Sequence, residues 1–270
     1  MNGCGTVLPP EIQVFRSPDM SELRALIFDV DGTLADTERD GHRVAFNAAF
    51  DEAGLGWMWD ESLYGRLLAV TGGKERIRYY LDHFNPSFRR PEDLDGFIAG
   101  LHAAKTRHYL DMLKAGAIPL RPGVARLLGE ARAAGLRLAI ATTTTPANVV
   151  YLLEAALGRE SVEWFSVIAA GDVVPAKKPA PDIFEYALRH LDLPAAACLA
   201  FEDSANGLRS SLGAGLRTVV TVNGYTKDED FTGATLVLDQ FGEPGSPATV
   251  LQGPELPEGY LTVERLQRLG

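Results

Sequence analysis

Two aspartates separated by one residue follow the first apolar run of the sequence. Residues 23–29 (LRALIFD) lead directly into Val30, Asp31, Gly32 and Thr33. Residues two apart in an extended chain point the same way, so we expect the carboxylates of Asp29 and Asp31 to face one spot. Two acids held together repel each other unless a cation is present. Taken alone, the Asp-Gly pair is also common in exposed turns.

Four further polar residues lie later in the sequence, three of them at the end of an apolar run. Thr142 ends LAIAT, Lys178 lies in KKPAPDIF, and Glu202 and Asp203 lie in LAFEDSANG. Singly, these residues could be a helix cap, a solvated lysine and a capping pair. Together they favour one shared functional site over separate structural roles.

The elements that must position these residues are short buried strands alternating with helices. This alternation predicts βαβ units and a Rossmann-like parallel sheet in an α/β protein. The predicted strands are residues 23–29, 136–142, 164–169, 197–201 and 217–222. The predicted helices between them are residues 123–134, 146–157, 181–190 and 204–214.

One interval lacks any strand pattern. Residues 37–117 contain only helical segments, at 41–53, 75–84 and 94–113, and are too many for a crossover connection. We therefore predict an inserted α-helical cap domain at 37–117 and a core domain formed by 23–36 and 118–240. The remaining divisions are an N-terminal lead-in at 1–22 and a Gly/Pro-rich tail at 241–270. We expect the tail to be irregular, with a short helix at 262–269.

Composition limits the classes of function. The formal net charge of -10 and a pI near 5.0 argue against nucleic-acid or anionic-membrane partners, which need a basic face. Two cysteines are too few for a disulfide framework. No apolar run reaches the roughly 18 residues of a membrane span. The N-terminus lacks a basic start, so we expect a cytoplasmic protein.

The string FDVDGTLADTE, followed in order by Thr142, Lys178 and Glu202-Asp203, resembles the four signatures of the haloacid dehalogenase-like hydrolases. The resemblance implies a Rossmann-like core with an α-helical cap. It implies that Asp29 is the nucleophile, that Asp31 is the acid and base, and that Mg²⁺ is the cofactor. The implied metal ligands are Asp29, the Asp31 carbonyl, Asp203 and Glu202. The implied phosphate ligands are Thr142, the Thr143 amide and Lys178.

An acid at position 31 separates the subgroups of this family. Dehalogenase members do not need a leaving-group acid, so Asp31 favours a phosphatase or a phosphomutase. These differ in whether water or a second sugar oxygen accepts the phosphoryl group, which the motifs do not encode. A non-catalytic binding protein of the same fold is a third alternative, although it would have no use for Asp31.

The predicted cap carries a candidate anion site. Gly72 and Gly73 precede Lys74 and Arg76 at a helix start, where free amides and the helix dipole attract anions. We expect Lys105 and Arg107 to add positive charge nearby. A capped helix with solvated basic side chains is the simpler alternative.

The cap strings TERDGHRVAFN, WMWD, TGGKERI and AGLHAAKT, with ATTTTPANV in the core, resemble the CbbY group of the family. Its members are phosphatases for xylulose 1,5-bisphosphate, an inhibitor of Rubisco. The resemblance implies a sugar-bisphosphate substrate, a functional link to Rubisco without direct binding, and a second phosphate held by the cap cations. It further implies that Glu38, His42 and Arg43 contact the sugar hydroxyls or the distal phosphate. A β-phosphoglucomutase-like enzyme shares every core motif. We expect a monomer.

Overall fold

A seven-stranded sheet forms the centre of the protein. The structure is a computed structural model, and it describes residues 22–70 and 72–269. The strand order is β3-β2-β1-β4-β5-β6-β7; the first six strands in this order are parallel and β7 is antiparallel to β6. The strands are β1 (Ala25–Phe28), β2 (Arg137–Thr142), β3 (Phe165–Ala170), β4 (Cys198–Glu202), β5 (Arg217–Thr221), β6 (Leu236–Leu238) and β7 (Val250–Gln252). All five predicted strands are present. Except for Glu22, the predicted lead-in lies outside the described residues.

The central strands are apolar throughout because both faces of the sheet are covered. In β1, Leu26 and Phe28 pack in one core cluster, whereas Ala25 and Ile27 pack in the cluster on the opposite face. All four side chains are fully buried. A continuous apolar run is the expected sequence of a strand buried on both sides. The α/β parallel-sheet prediction is therefore confirmed.

Helices connect the strands and cover the two faces of the sheet. The four predicted core helices are present, with ends that shift by one residue or less. The core helices are α5 (Val124–Ala133), α6 (Pro146–Leu157), α7 (Asp182–Leu191) and α8 (Ala205–Gly213). Short 3₁₀ turns at Arg159–Trp164 and Ala195–Ala197 precede β3 and β4.

The helices inserted between β1 and β2 form the cap. One π-helical turn (Thr37–His42) continues into α1 (Arg43–Glu52), which is followed by α2 (Glu61–Leu67), α3 (Gly73–His83) and α4 (Leu94–Lys114). These helices enclose a separate aromatic cluster whose largest buried members are Trp59, Tyr64, Phe46 and Phe50. The helix α2 was not predicted. The exact division of the chain into domains stays a prediction.

The two chain segments that join the cap to the core run side by side. Ala35 and Leu120 form an antiparallel bridge, and Arg121 N donates a hydrogen bond of 2.8 Å to Leu34 O. The chain thus enters and leaves the cap through two paired segments, which form a short two-stranded ribbon.

The Gly/Pro-rich tail is more ordered than the sequence predicts. It adds β7 to the edge of the sheet and ends in α9 (Val263–Gln267) inside the predicted helix at 262–269. Before β7, the Gly123 amide at the start of α5 donates to Glu243 Oε1 at 3.0 Å. The expectation of an irregular tail is wrong for β7, because a three-residue strand is too short to show periodicity. No helix among the described residues is both long and apolar enough to cross a bilayer.

Candidate active site

Three carboxylates meet where β1 and β4 end. Asp29 directly follows β1, and its amide donates to Phe201 O at 2.9 Å, which holds it beside the end of β4. Glu202 is the last residue of β4 and Asp203 is the next. Oxygen atoms of the three side chains all lie within 4.8 Å of one another. The sequence places these residues at strand ends, and the sheet brings them together because β1 and β4 are neighbours.

Lys178 is the cation of this carboxylate cluster. Its Nζ lies 2.5 Å from Asp29 Oδ1 and 2.6 Å from Glu202 Oε1, and its side chain is 9% exposed. Burial disfavours the ammonium, but Asp29 and Glu202 raise the pKa of Lys178 above its ordinary value. Lys178 is therefore charged at neutral pH and fixes the orientation of Asp29.

The cluster has more negative charge than Lys178 can match. Burial and neighbouring carboxylates raise the pKa of Asp203 well above its ordinary value, and burial raises that of Glu202. Three carboxylates against one ammonium leave two charges unmatched. Carboxylate oxygens are the ligands that Mg²⁺ prefers. The residues present therefore fit a divalent cation of this type.

Asp31 stands beside this cluster and has a different environment. Thr37 Oγ1 donates to Asp31 Oδ1 at 2.6 Å. Burial, with the charge of Asp29, raises the pKa of Asp31 to about 7. A carboxyl that retains its proton near neutral pH can donate it to a leaving group. Its side chain is not one of the three clustered carboxylates, and the metal role of its backbone carbonyl stays a prediction.

Gly32 allows the loop after β1 to approach Asp203 closely. It has a φ of +87°, and a Cβ at this position would lie 2.1 Å from Asp203 Oδ2. Any side chain there would displace a carboxylate of the cluster. The glycine thus serves both the turn and the close contact.

Sequence reasoning missed Asn223, which orients Asp203. Asn223 Nδ2 donates to Asp203 Oδ2 at 2.7 Å. The residue lies just beyond the end of β5, which is the neighbour of β4 in the sheet. Its position directly after a predicted strand was the signal available in the sequence.

Thr142 and Thr143 lie on the other side of β1. Phe28 pairs with Ile140, so Thr142 is level with the Asp29–Asp31 loop. The Thr142 side chain is buried at the end of β2, whereas Thr143 is exposed. Thr145 then caps α6, with Oγ1 accepting from Asn148 N. The Thr142 hydroxyl accepts from Thr144 N at 3.3 Å and can still donate its proton to an anion bound at Asp29.

The cap contributes a hydrogen-bonded group of Glu38, Tyr64 and Arg76. Tyr64 Oη donates to Glu38 Oε2 at 2.5 Å and accepts from Arg76 Nη1 at 2.7 Å. Arg76 is 8% exposed, so a nearly buried guanidinium stands at this position. Of the residues in this group, Tyr64 was not predicted.

Lys105 and His42 form a second cationic position in the cap. Lys105 Nζ lies 2.9 Å from His42 Nδ1 and about 5 Å above the rings of Phe46 and Tyr109. Burial lowers the pKa of Lys105 to about 8. Burial, together with Lys105 and Arg76, also lowers the pKa of His42. This ammonium pairs with an imidazole rather than a carboxylate, so it is available to an anion.

Charges of both the cap and the core act on Lys105. The charges of Asp31 and Glu38 each raise the pKa of Lys105 against the effect of burial. A cavity of about 460 Å³ lies between cap and core, and its lining includes Gly32, Glu38 and Asp203. An anionic ligand with two charged ends could contact both halves of the protein from such a cavity.

Other predicted cap residues are placed less centrally. Arg43 is engaged with the cap itself, because its Nε donates to Arg39 O at 3.2 Å. Gly72, Gly73 and Lys74 lie at the start of α3, where Gly72 and Lys74 are exposed. Arg107 does not join the cations, since it pairs with Glu52 on an exposed surface, with Nη2 2.6 Å from Oε1.

The family follows from comparison with known proteins. The model of the haloacid dehalogenase-like hydrolase family matches residues 23–215, and the chain belongs to this family. The resemblance stated from its motifs, and with it the assignment as a hydrolase, is confirmed.

Within the family, the chain is about half identical to CbbY proteins over most of its length. CbbY encoded on a plasmid of Cupriavidus necator is 52% identical over 225 residues, which are 83% of this chain and 88% of that protein. The crystal structure of CbbY from Rhodobacter sphaeroides in complex with phosphate has 50% identity and a TM-score of 0.70, covering 83% of this chain and 96% of that one. A mutant of the same protein, 49% identical over the same shares, was solved in complex with xylulose 1,5-bisphosphate, again with a TM-score of 0.70.

Proposed function

We propose that this protein is a Mg²⁺-dependent sugar-bisphosphate phosphatase that converts xylulose 1,5-bisphosphate into xylulose 5-phosphate and phosphate. The observation that carries the proposal is the pairing of Asp29 with Lys178 inside a cluster of three carboxylates. The similarity to a CbbY protein solved with xylulose 1,5-bisphosphate supports the choice of substrate.

The reaction has two steps, and Asp29 is the nucleophile of the first. Its carboxylate oxygen attacks phosphorus while the ester bond to the sugar breaks, and Asp31 gives its proton to the departing sugar oxygen. The product of this step is an aspartyl phosphate. Asp31 then takes a proton from water, whose oxygen attacks phosphorus, and phosphate leaves as Asp29 is regenerated.

The remaining core residues bind charge during these steps. Lys178, the Thr142 hydroxyl and the Thr143 amide would hold the phosphate oxygens. Asp29, the Asp31 carbonyl, Asp203 and Glu202 would hold Mg²⁺, directly or through water for Glu202. The ion supplies positive charge next to the transferring group when it is bound.

The cap binds the rest of the substrate. Arg76 and Lys105 supply buried cations for the second phosphate, with Lys74 and the amides of Gly72 and Gly73 at the edge of this subsite. We assign Glu38, His42 and Arg43 to the sugar hydroxyls or the distal phosphate. The monomeric state, the cytoplasmic location and the functional link to Rubisco stay predictions.

Phosphate release from xylulose 1,5-bisphosphate, ribulose 1,5-bisphosphate and β-glucose 1-phosphate tests the substrate. We expect the highest kcat/KM for xylulose 1,5-bisphosphate. Isomerised hexose phosphate without free phosphate would instead identify a phosphomutase.

Asp29→Asn should lower kcat by at least about 10³-fold, because it removes the nucleophile. The exposed Asp172 provides the matched control, since Asp172→Asn changes a loop carboxylate that pairs only with Lys177 among the described residues.

A further inference from the structure

The turn that follows β5 connects the carboxylate cluster to the cap. Asn223 uses both ends of its side-chain amide: Nδ2 donates to Asp203 Oδ2 at 2.7 Å, and Oδ1 accepts from Tyr225 N at 2.9 Å. Thr226 closes the turn, because its Oγ1 accepts from Asn223 N at 3.1 Å and its amide donates to Asn223 O at 3.3 Å. The backbone of Tyr225 is thus fixed relative to Asp203.

The side chain of Tyr225 leaves the core and packs on the cap. A Cβ built on Gly65 of α2 would lie 3.2 Å from Tyr225 Cδ1, so the ring rests directly on the helix backbone at this glycine. The ring centroid is 6.0 Å from that of Tyr64, and Tyr225 packs against the aromatic cluster of the cap. Gly65 and Tyr225 both line the cavity between the two halves.

A continuous series of contacts therefore joins the two charged groups of the cleft. It runs from Asp203 through Asn223 and Tyr225 to Tyr64. Tyr64 in turn bonds to both Glu38 and Arg76. Every step is a hydrogen bond or a ring contact, and only the contact of Tyr225 with α2 crosses from core to cap within this series.

We infer that Tyr225 is a positioning residue that docks the cap on the core, setting the distance between Glu38 and Arg76 on one side and Asp29 and Asp203 on the other. The inference rests on the proposed function in one respect, that the substrate has a second charged end for the cap to hold. A substrate whose two ends are bound by the cap and by the core reacts only when these two binding positions are correctly spaced. A small phosphate ester held by the core alone does not need this spacing.

The ring, rather than the hydroxyl, makes the contact. Tyr225 Oη is buried and has no hydrogen-bond partner among the described residues. Tyr225→Phe should therefore retain docking, whereas Tyr225→Ala should lose it. The amide of residue 225 still bonds to Asn223 in either variant, so the support of Asp203 is retained.

The first test compares two substrates with Mg²⁺ present. For Tyr225→Ala we expect kcat/KM for xylulose 1,5-bisphosphate to fall by at least about tenfold, while that for p-nitrophenyl phosphate changes less than about threefold. Tyr225→Phe should behave like the wild type. Tyr186→Ala is the matched control, because Tyr186 is a partly buried core tyrosine on α7. Equal losses for both substrates would overturn the inference.

The second test does not depend on the substrate. Hydrogen–deuterium exchange of the α2 amides (Glu61–Leu67) should become faster in Tyr225→Ala and stay unchanged in Tyr225→Phe and Tyr186→Ala. Gly65→Leu, which fills the space of the ring, should act like Tyr225→Ala and add little to it in the double variant. Gly100→Leu is its control, since no atom lies within 4 Å of a Cβ there. Unchanged exchange in α2 would overturn the docking role, whereas faster exchange without bisphosphate hydrolysis would count against the proposed substrate alone.

Discussion

Lys105 is a buried cation whose closest polar partner is an imidazole. It is 9% exposed, and its ammonium lies over two aromatic rings. Desolvation of an ammonium without a carboxylate partner favours the neutral amine, which is why its pKa is lowered to about 8. A bound phosphate would reverse this effect by supplying the missing negative charge. The charge state of Lys105 should therefore be linked to occupation of the cap subsite.

This linkage predicts a pH dependence of substrate binding. Lys105 is an ammonium below pH about 8 and loses its proton as the pH rises through that value. The KM for xylulose 1,5-bisphosphate should therefore increase between pH 7 and 9, where attraction for the distal phosphate is lost. Among the groups around Lys105, the charges of Glu38 and Asp31 raise its pKa and oppose the loss of its proton. The charge of Arg76 lowers its pKa and promotes that loss.

Steady-state kinetics of two variants would check the assignment to Lys105. Lys105→Arg keeps its charge over this range and should remove the rise in KM, whereas Lys105→Met should have a high KM at every pH. A wild-type rise that persists unchanged in Lys105→Arg would contradict the prediction.

The sequence identifies residues of the core cluster better than those that support them. Asp29, Thr142 and Glu202-Asp203 are recognisable because each belongs to a motif at a strand end, and Lys178 because it belongs to the motif KKPAPDIF. Asn223 and Tyr64 belong to no such motif, and their roles depend on which elements become neighbours in space. An asparagine after a strand is an ordinary turn residue until the strand is found beside Asp203.

At the scale of elements, Arg121 ties the cap ribbon to the sheet. Its side chain is 8% exposed and donates to Thr221 O at 3.0 Å, Val222 O at 2.6 Å and Asp239 O at 2.6 Å, as well as to Gly32 O. One guanidinium therefore holds the loop after β1 and the chain after β5 and β6. The five donors of arginine suit this role, because the carbonyls are fixed in different elements.

Arg121→Met should lower the free energy of unfolding by about 2–4 kcal/mol, since several buried carbonyls lose their donor. Equilibrium unfolding in guanidinium chloride measures the change. Arg209→Met is the control: Arg209 is exposed and donates to Asn206 on the same helix, so a change below about 0.5 kcal/mol is expected. An Arg121→Met protein as stable as the wild type would show that water replaces these hydrogen bonds.

Elements with a clear apolar pattern were predicted, whereas the short α2, β6 and β7 were missed. The helix α2 has seven residues, and its start depends on Asp60 Oδ1 accepting from Leu63 N at 2.7 Å. The strands β6 and β7 have three residues each. Segments of this length carry too few positions to establish a period, so tertiary contacts rather than local pattern determine them.

For the whole molecule, charge is unevenly distributed. The net charge is -10, yet the cap holds the nearly buried cations Arg76 and Lys105, while the core holds the buried carboxylates of Asp29, Glu202 and Asp203. The negative total thus does not prevent anion binding, because the local field decides it. The carboxylate cluster lowers the stability of the metal-free protein, since its members repel one another.

Mg²⁺ should therefore stabilise the fold. At 100 times its dissociation constant, a metal that binds only the folded state contributes about 2.7 kcal/mol, which raises Tm by several degrees. Scanning calorimetry with and without Mg²⁺, at matched ionic strength in NaCl, measures this shift. Asp203→Asn removes one of the repelling charges, so it should raise the Tm of the metal-free protein and reduce the gain from Mg²⁺. If Mg²⁺ raised the Tm of both proteins equally, the assignment of Asp203 as a ligand of the ion would be contradicted.

The ribbon formed by Ala35 and Leu120 marks two positions between which the cap segment could be excised. The two ends that an excision would leave are already hydrogen-bonded neighbours, so a short turn could rejoin them without moving a strand of the sheet. By the same geometry, a cap from another member of the family could be grafted between these positions. Substrate choice and phosphoryl chemistry could then be varied separately, because Asp29 and Asp31 precede the junction and the other core groups of the site follow it.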